Sequence, residues 1–325
     1  MSEQKTKIVL DDNKIKKSLK IEDVIEIVEE GFRKKGKGFV NLPPKTGPKL
    51  SDGAFADSMS VSVFAGEVSR PRLRTFGIKW LTSFPDKLKK GLPVLTSLII
   101  LNNPKTGLPL AILSGNWITA IRTAAVSAVT AKYLAPKKKE LTIGVFGLGL
   151  QAYVHIVAFK SAFKNAKFIL YNHGDKYVKE FMKKFPRRRG LETSPTISRN
   201  HHEVVRDSDI VISVTSFPPK ISPYIFAKDF KKDVLILPVD YGSRVDPGLY
   251  KYLDEIYTDD ISQYEKKSKL RQYFPPTTPK IKKEVGELIA KGYRRGNSAK
   301  RILVFNLGIA LFDILTAKLF IEKTK

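Results

Sequence analysis

Apolar positions follow two different rhythms along this chain. From residue 141 onward, short apolar runs alternate with longer stretches of helical spacing. LTIGVF (141–146), KFILY (167–171), DIVISV (209–214), VLILPV (234–239) and EIYT (255–258) read as strands buried on both faces. Helices between them predict an α/β fold, a doubly wound parallel sheet of the Rossmann type. Upstream, residues 55–114 read as mostly β, with strands at RTFGIKWLTSF (74–84), TSLIILNN (96–103) and LAILSG (110–115) and a turn at NPKTGLP (103–109). Before them, 14–35 predicts one helix with Ile21, Val24, Ile25 and Val28 in a stripe, and FVNLPPKTGPKL (39–50) a proline-broken extended segment. NWITAIRTAAVSAVTAKYLA (116–135) predicts a helix whose small residues, Ala120, Ala124 and Ala128, allow close packing. IKKEVGELIAKG (281–292) returns the chain to VFNLGIALFDILTAKLFI (304–321). Asn306, Asp313 and Lys318 interrupt that last run, so it reads as an amphipathic helix and not a membrane span.

Composition narrows the class. At 325 residues with 42% hydrophobic content, two globular domains are expected. Cysteine is absent, which excludes disulfides, thiolate–zinc sites and thiol nucleophiles. The polar first residues do not read as a secretory signal, and a cytoplasmic location is expected. The net charge of +26 is spread over the chain, with short runs at PKKKE (136–140), PRRRG (186–190) and KGYRR (291–295). No repeated aromatic-interleaved basic motif appears, so a solvated basic surface is expected and nucleic acid is not. Such a surface still attracts a dinucleotide or a carboxylate. The four histidines, His155, His173, His201 and His202, lack zinc spacing, and no metal site is expected. Neither a Gly-x-Ser-x-Gly elbow nor a P-loop is present.

The stretch GLGLQA (147–152) sits where strand passes into helix. Gly147 suits the tight turn, Gly149 the approach of a pyrophosphate to the backbone, and Ala152 close helix–strand packing. The helix that follows, QAYVHIVAFKSAF (151–163), would turn Val154, Val157 and Ala158 to one face. The next strand ends in Asn172-His173-Gly174-Asp175-Lys176, with no acid at its tip to hold ribose hydroxyls. NAD and NADP therefore both stay open at this point.

From Pro43 to Ala317 the chain resembles the ornithine cyclodeaminase/μ-crystallin family. LPPK (42–45), GIKW (77–80) with FP (84–85), GLP (91–93), LNNPKTGLPLAIL (101–113), ITAIRTAA (118–125), GLGLQA, SDIVISVTS (208–216), PVD (238–240) and NLGIALFD (306–313) occur in the family's order. The resemblance implies a homodimeric enzyme that oxidises or reduces the carbon–nitrogen bond at Cα of a small amino or imino acid with NAD or NADP, NAD being favoured. It implies an α+β substrate-binding and dimerisation domain from residues 1–115 plus 304–325, a dinucleotide domain from 116–303, and a site in the cleft between them. Lys79 and Asp240 take the acid–base roles, and Arg122 with Lys45 and Met59 binds substrate. Thr123, Gly147, Gly149, Gln151, Ala152, Asn172, Thr215, Ser216, Asn306 and Gly308 hold cofactor. Read without the resemblance, Arg122 is rather a helix-surface salt bridge, Lys79 is equally a strand lysine facing water, and Asp240 is open to a helix or turn cap.

Some positions depart from the family pattern. Lys45 replaces an arginine, Ser60 follows Met59 where proline is usual, and Arg294-Arg295-Gly296 replaces a Gly-Arg pair. Asp57 matches loosely an acid of ornithine-specific members, and Val94 stands where ornithine cyclodeaminase proper has threonine. The leading expectation is ornithine cyclodeaminase, converting L-ornithine to L-proline and ammonia with the cofactor regenerated. The alternative is a ketimine or Δ1-pyrroline-2-carboxylate reductase, or an alanine-type dehydrogenase. Outside enzymes, a dinucleotide-binding protein without activity or a basic nucleic-acid binder are the rivals.

Overall fold

The computed structural model describes residues 6–48, 50, 54–64, 74–84, 91–184, 195–216, 223–266, 281 and 283–324. Pro85 and the basic run at 186–190 lie outside them. The chain divides into two compact units, Met1–Thr123 with Gly308–Lys325, and Ala124–Leu307. The division falls inside a helix and after the last strand, where the sequence had suggested 115/116 and 303/304.

The first unit begins with β1 (Lys7–Val9), α1 (Asp12–Ser18) and α2 (Ile21–Gly36). Next come β2 (Val40–Asn41), β3 (Phe55–Val63), β4 (Thr75–Ser83), β5 (Leu95–Asn102) and β6 (Pro109–Ser114). The single helix expected over 14–35 is two. Asp11 caps α1 by accepting from the Asn13 amide, and Leu19 and Lys20 are extended. Leu19 and Ile21 are both buried two residues apart, a spacing that extended backbone satisfies and a continuous helix does not. The six strands form one sheet in the order β1-β6-β5-β4-β3-β2, antiparallel except where β1 joins β6.

The chain continues through α3 (Asn116–Leu134), β7 (Thr142–Phe146), α4 (Leu150–Ala162), β8 (Lys167–Tyr171), α5 (Asp175–Lys184), β9 (Thr196–Ile197), α6 (His201–Asp207) and β10 (Ile210–Ser213). Then come β11 (Val234–Pro238), β12 (Glu255–Thr258), α7 (Ile261–Glu265), α8 (Val285–Ala290), β13 (Arg301–Phe305) and α9 (Ala310–Lys323). Strands β7 to β13 make a wholly parallel sheet in the order β12-β13-β11-β10-β7-β8-β9. This is the expected doubly wound fold, and the first unit is the expected α+β one.

The apolar run at 304–321 is not one helix. Its first residues complete β13, which lies between β11 and β12. An apolar run fits a buried strand and a buried helix equally, and periodicity alone does not divide it. The helical part, α9, is also not amphipathic, because every residue from Ala310 to Ala317 is buried. It packs against β3, β4, β5 and α2 within the first unit. Among the described residues, no helix is long and apolar enough to cross a membrane.

Candidate active site

In the parallel sheet, β7 and β10 are neighbours, with β8 and β9 beyond one and β11, β13 and β12 beyond the other. Strand order reverses there, and a crevice opens at the carboxyl ends of such a pair. Gly147 leaves β7 with φ +92, a conformation that L side chains rarely adopt, and donates to the Tyr171 carbonyl at 3.0 Å. A Cβ there would lie 2.9 Å from the Val214 carbonyl and 3.1 Å from Thr215 Cα. The turn is therefore pressed against the end of β10. Gly149 is the N-cap of α4 with no side-chain cap, and a Cβ on it would meet no atom of the described residues within 4 Å. Space is thus left beside the backbone at the positive end of a helix, which suits a pyrophosphate.

Around this turn, Ala152 is fully buried, and the buried Gln151 Oε1 has no partner. Asn172 is half-buried just after β8, and Ser216 is exposed after β10. Asp175 opens α5 with its carboxylate 3.5 Å from Arg199, so no acid stands at the strand tip itself. Asn306 is buried, its Nδ2 donating to Thr130 at 3.4 Å and its Oδ1 unpartnered. The buried side of α4 differs from the expected one. Val157 is half-buried, while His155 is wholly buried, its Nδ1 2.7 Å from the Gln151 carbonyl and its Nε2 3.0 Å from Ser127 Oγ. The cradle and the unpartnered donor and acceptor groups fit a dinucleotide.

The free space at Gly149 gives a sharp expectation. Gly149→Val should stay folded, since a Cβ there meets no atom of the described residues within 4 Å, and should lose dinucleotide binding by filling the approach. Calorimetric titration with NADH, alongside a melting curve, checks this. Unchanged affinity in the folded variant would remove the pyrophosphate from this turn.

Asp240 follows β11, beside β10. Its Oδ2 accepts from the hydroxyls of Ser213 and, at 2.7 Å, Thr215, while its Oδ1 is buried and has no partner among the described residues. Burial raises its pKa above the ordinary carboxylate value, and the two hydroxyls only partly oppose this. Arg244, which the sequence did not single out, donates through Nε to Thr215 at 3.2 Å.

Within the first unit a second group of residues converges. Lys79 lies on β4 opposite Met59 of β3 and Ile99 of β5, on the face covered by α9. It is 0% exposed. Its Nζ donates to Asp313 Oδ1 at 2.8 Å and to Thr119 Oγ1 at 2.7 Å. Arg122 Nε donates to the same carboxylate oxygen at 3.1 Å, and Asp313 Oδ2 has no partner among the described residues. The surface readings of Lys79 and Arg122 fail, since both are buried. Burial depresses the Lys79 ammonium from 10.5 to about 8, with Arg122 and Lys45 adding repulsion that Asp313 only partly offsets. For Asp313, burial favours the neutral acid, yet the Arg122 and Lys79 charges outweigh it and hold its pKa below the ordinary value.

The remaining residues singled out in this unit fall around that group. Met59 is buried, Lys45 is half-buried within electrostatic reach of Lys79, and Thr123 Oγ1 donates to the Thr119 carbonyl at 2.7 Å. Gly308 has φ +76, and a Cβ there would lie 3.2 Å from one Arg122 terminal nitrogen and 3.3 Å from the other. It is therefore the backbone on which the guanidinium rests. Asp313 was missed as a functional group. Its one signal was a carboxylate set in an apolar helix, which had served only as evidence against a membrane span.

The chain is similar along most of its length to known proteins. Alanine dehydrogenase of Archaeoglobus fulgidus is 26% identical over 97% of this chain and 94% of its own. The structure of Thermococcus litoralis Δ1-pyrroline-2-carboxylate reductase in complex with NADH and L-proline superposes with a TM-score of 0.82 and 25% identity, covering 98% of this chain and 97% of that one. An archaeal alanine dehydrogenase dimer with bound NAD gives 0.80 at 24% identity, over 98% and 96%. The model of the ornithine cyclodeaminase/mu-crystallin family matches residues 5–325, and the chain belongs to that family.

Proposed function

We propose that this NAD(P)-dependent enzyme of small amino and imino acids is an NAD(H)-dependent reductase of cyclic imino acids, of the Δ1-pyrroline-2-carboxylate type. The observation that carries this reading is the buried Lys79–Asp313–Arg122 group. Two cations share one carboxylate oxygen, which leaves a net positive site for a substrate carboxylate and an ammonium whose pKa near 8 suits proton donation to an imine nitrogen. The dinucleotide, when bound, supplies the hydride. The chain's residues bind the carboxylate, exclude water from the cations and supply the proton. The NADH complex of the Thermococcus reductase supports the choice of cofactor.

This reading displaces the ornithine cyclodeaminase expected first from the sequence. The relatives described above are named as a reductase and as dehydrogenases, and Val94 offers no hydroxyl where cyclodeaminases place threonine. An alanine-type dehydrogenase is the second reading, favoured by the Archaeoglobus relative. One assay separates them. Δ1-pyrroline-2-carboxylate with NADH should give L-proline and a fall in absorbance at about 340 nm, the reduced nicotinamide band. NADH oxidation with pyruvate and ammonia alone would favour the dehydrogenase. Proline from L-ornithine beyond one equivalent of cofactor would restore the cyclodeaminase.

A homodimer belongs to the same proposal. On the face of the six-stranded sheet away from α9, Ile8, Ile112, Ile100 and Ile78 stand in register across four strands, with Trp80 beside Leu98. Ile8 is 64% exposed, Leu98 44% and Trp80 43%. An apolar row of this extent marks an interaction face, and a second copy is the partner proposed. Leu98→Asp together with Trp80→Asp should yield monomers in sedimentation velocity, and an unchanged dimer would move the interface elsewhere.

A further inference from the structure

Lys79 has no route of its own to water. It is 0% exposed, and its Nζ is held by Asp313 Oδ1 and Thr119 Oγ1, which lie 3.4 Å from each other. Asp313 is itself 0% exposed. Thr119 is half-buried, at the start of α3, with its Oγ1 2.7 Å from Nζ. The facing positions on β3 and β5, Met59 and Ile99, carry no proton, and the other charges that face Lys79 are Arg122 from α3 and Lys45. The Thr119 hydroxyl also donates to the Gly115 carbonyl at 2.5 Å and lies 3.4 Å from Ser97 Oγ. A hydroxyl accepts from one neighbour while donating to another, and its hydrogen rotates about the C–O bond.

We infer that Thr119 is the relay through which Lys79 exchanges its proton with solvent and, given the reductase reading, with the substrate nitrogen. In reduction, the hydroxyl proton of Thr119 passes to the imine nitrogen lone pair, and a proton of the Lys79 ammonium replaces it on Oγ1. One Lys79 N–H bond breaks, one substrate N–H bond forms, and the threonine is unchanged. The accompanying hydride comes from the reduced nicotinamide, and water reprotonates Lys79 by the same hydroxyl after product leaves. Thr119 lies within ITAIRTAA, where the sequence had drawn attention only to Arg122 and Thr123.

Thr119→Val, close in shape and without the hydroxyl, tests this against Thr119→Ser, which keeps it. Two readouts are needed. In steady-state reduction, Thr119→Val should lower kcat at least tenfold, leave NADH affinity unchanged and flatten the pH dependence of kcat near 8, while Thr119→Ser should retain the wild-type profile. In ¹⁵N-lysine NMR, with the Lys79 signal assigned by its loss in Lys79→Arg, its ammonium protons should exchange with water several-fold more slowly in Thr119→Val. The second readout needs no substrate, so it stands even if the reductase reading fails. Should Thr119→Val not fold, Thr119→Ala replaces it in both measurements. Wild-type exchange and a wild-type pH profile in the valine variant would overturn the relay.

Discussion

Asp313→Ala is expected to be the most destabilising single substitution in the six-stranded unit. It removes the carboxylate that Lys79 and Arg122 share and leaves two cations buried without a counter-charge. Breaking a buried ion pair from one side costs about 3–5 kcal/mol. The pH dependence carries the proof of mechanism. In the wild type, the folded Lys79 pKa near 8 lies below its unfolded value of 10.5. Between those values the unfolded chain binds more protons, so stability rises with pH across that window. Below pH 8 the cost of burying the ammonium is present in full, about 3 kcal/mol for a shift of this size. Without Asp313 the folded pKa falls further, and the window of rising stability begins at lower pH. Urea unfolding of wild type and variant from pH 6 to 10 measures both effects. A deficit under about 1 kcal/mol, the scale of a surface pair, with the same pH slope as wild type would show that Asp313 does not hold these cations.

Lys79→Met and Asp240→Asn are expected to produce the largest losses of turnover while sparing dinucleotide binding. Proton donation or abstraction by a positioned side chain contributes about 10²–10⁴-fold. The two groups titrate in different senses. Burial lowers the pKa of Lys79 and raises that of Asp240. On the proposed reductase reading, imine reduction needs the protonated form of Lys79, so wild-type kcat should fall as pH rises through about 8, and the reverse oxidation should rise through the same range. Lys79→Met should be flat there. In Asp240→Asn the hydrogen bonds from Ser213 and Thr215 can persist to the amide oxygen, so a loss of rate in a stable variant would report on the proton and not the fold. Stopped-flow reduction across pH, with NADH titrations of each variant, decides the matter. Near-wild-type kcat in either variant would remove that residue from proton transfer.

Much of this molecule was legible because its elements are locally consistent. Five of the parallel strands are short apolar runs bounded by turns, and their length and flanks mark them as strands. The turn at Gly147 and Gly149 was legible for the same reason, since it depends on residues adjacent in sequence. The family motifs gave Lys79, Arg122 and Asp240 as residues to watch, and all three are buried polar groups with partners or with lone pairs left open.

What the sequence alone determined was therefore local: the alternation that makes a doubly wound sheet, the glycine turn that suits a pyrophosphate, and the absence of cysteine chemistry. Only the tertiary structure decided the rest. The apolar run at 304–321 reads the same whether it is strand or helix, and pairing with β11 and β12 made its first residues the end of β13. Asp313 is 234 residues from Lys79 and 191 from Arg122, a separation that no periodicity bridges. Packing of α9 against β4 brings the three together, and burial there lowers the lysine pKa towards neutrality. A side chain's chemistry is written in the sequence, but the dielectric and the neighbours that tune it exist only once the chain has folded.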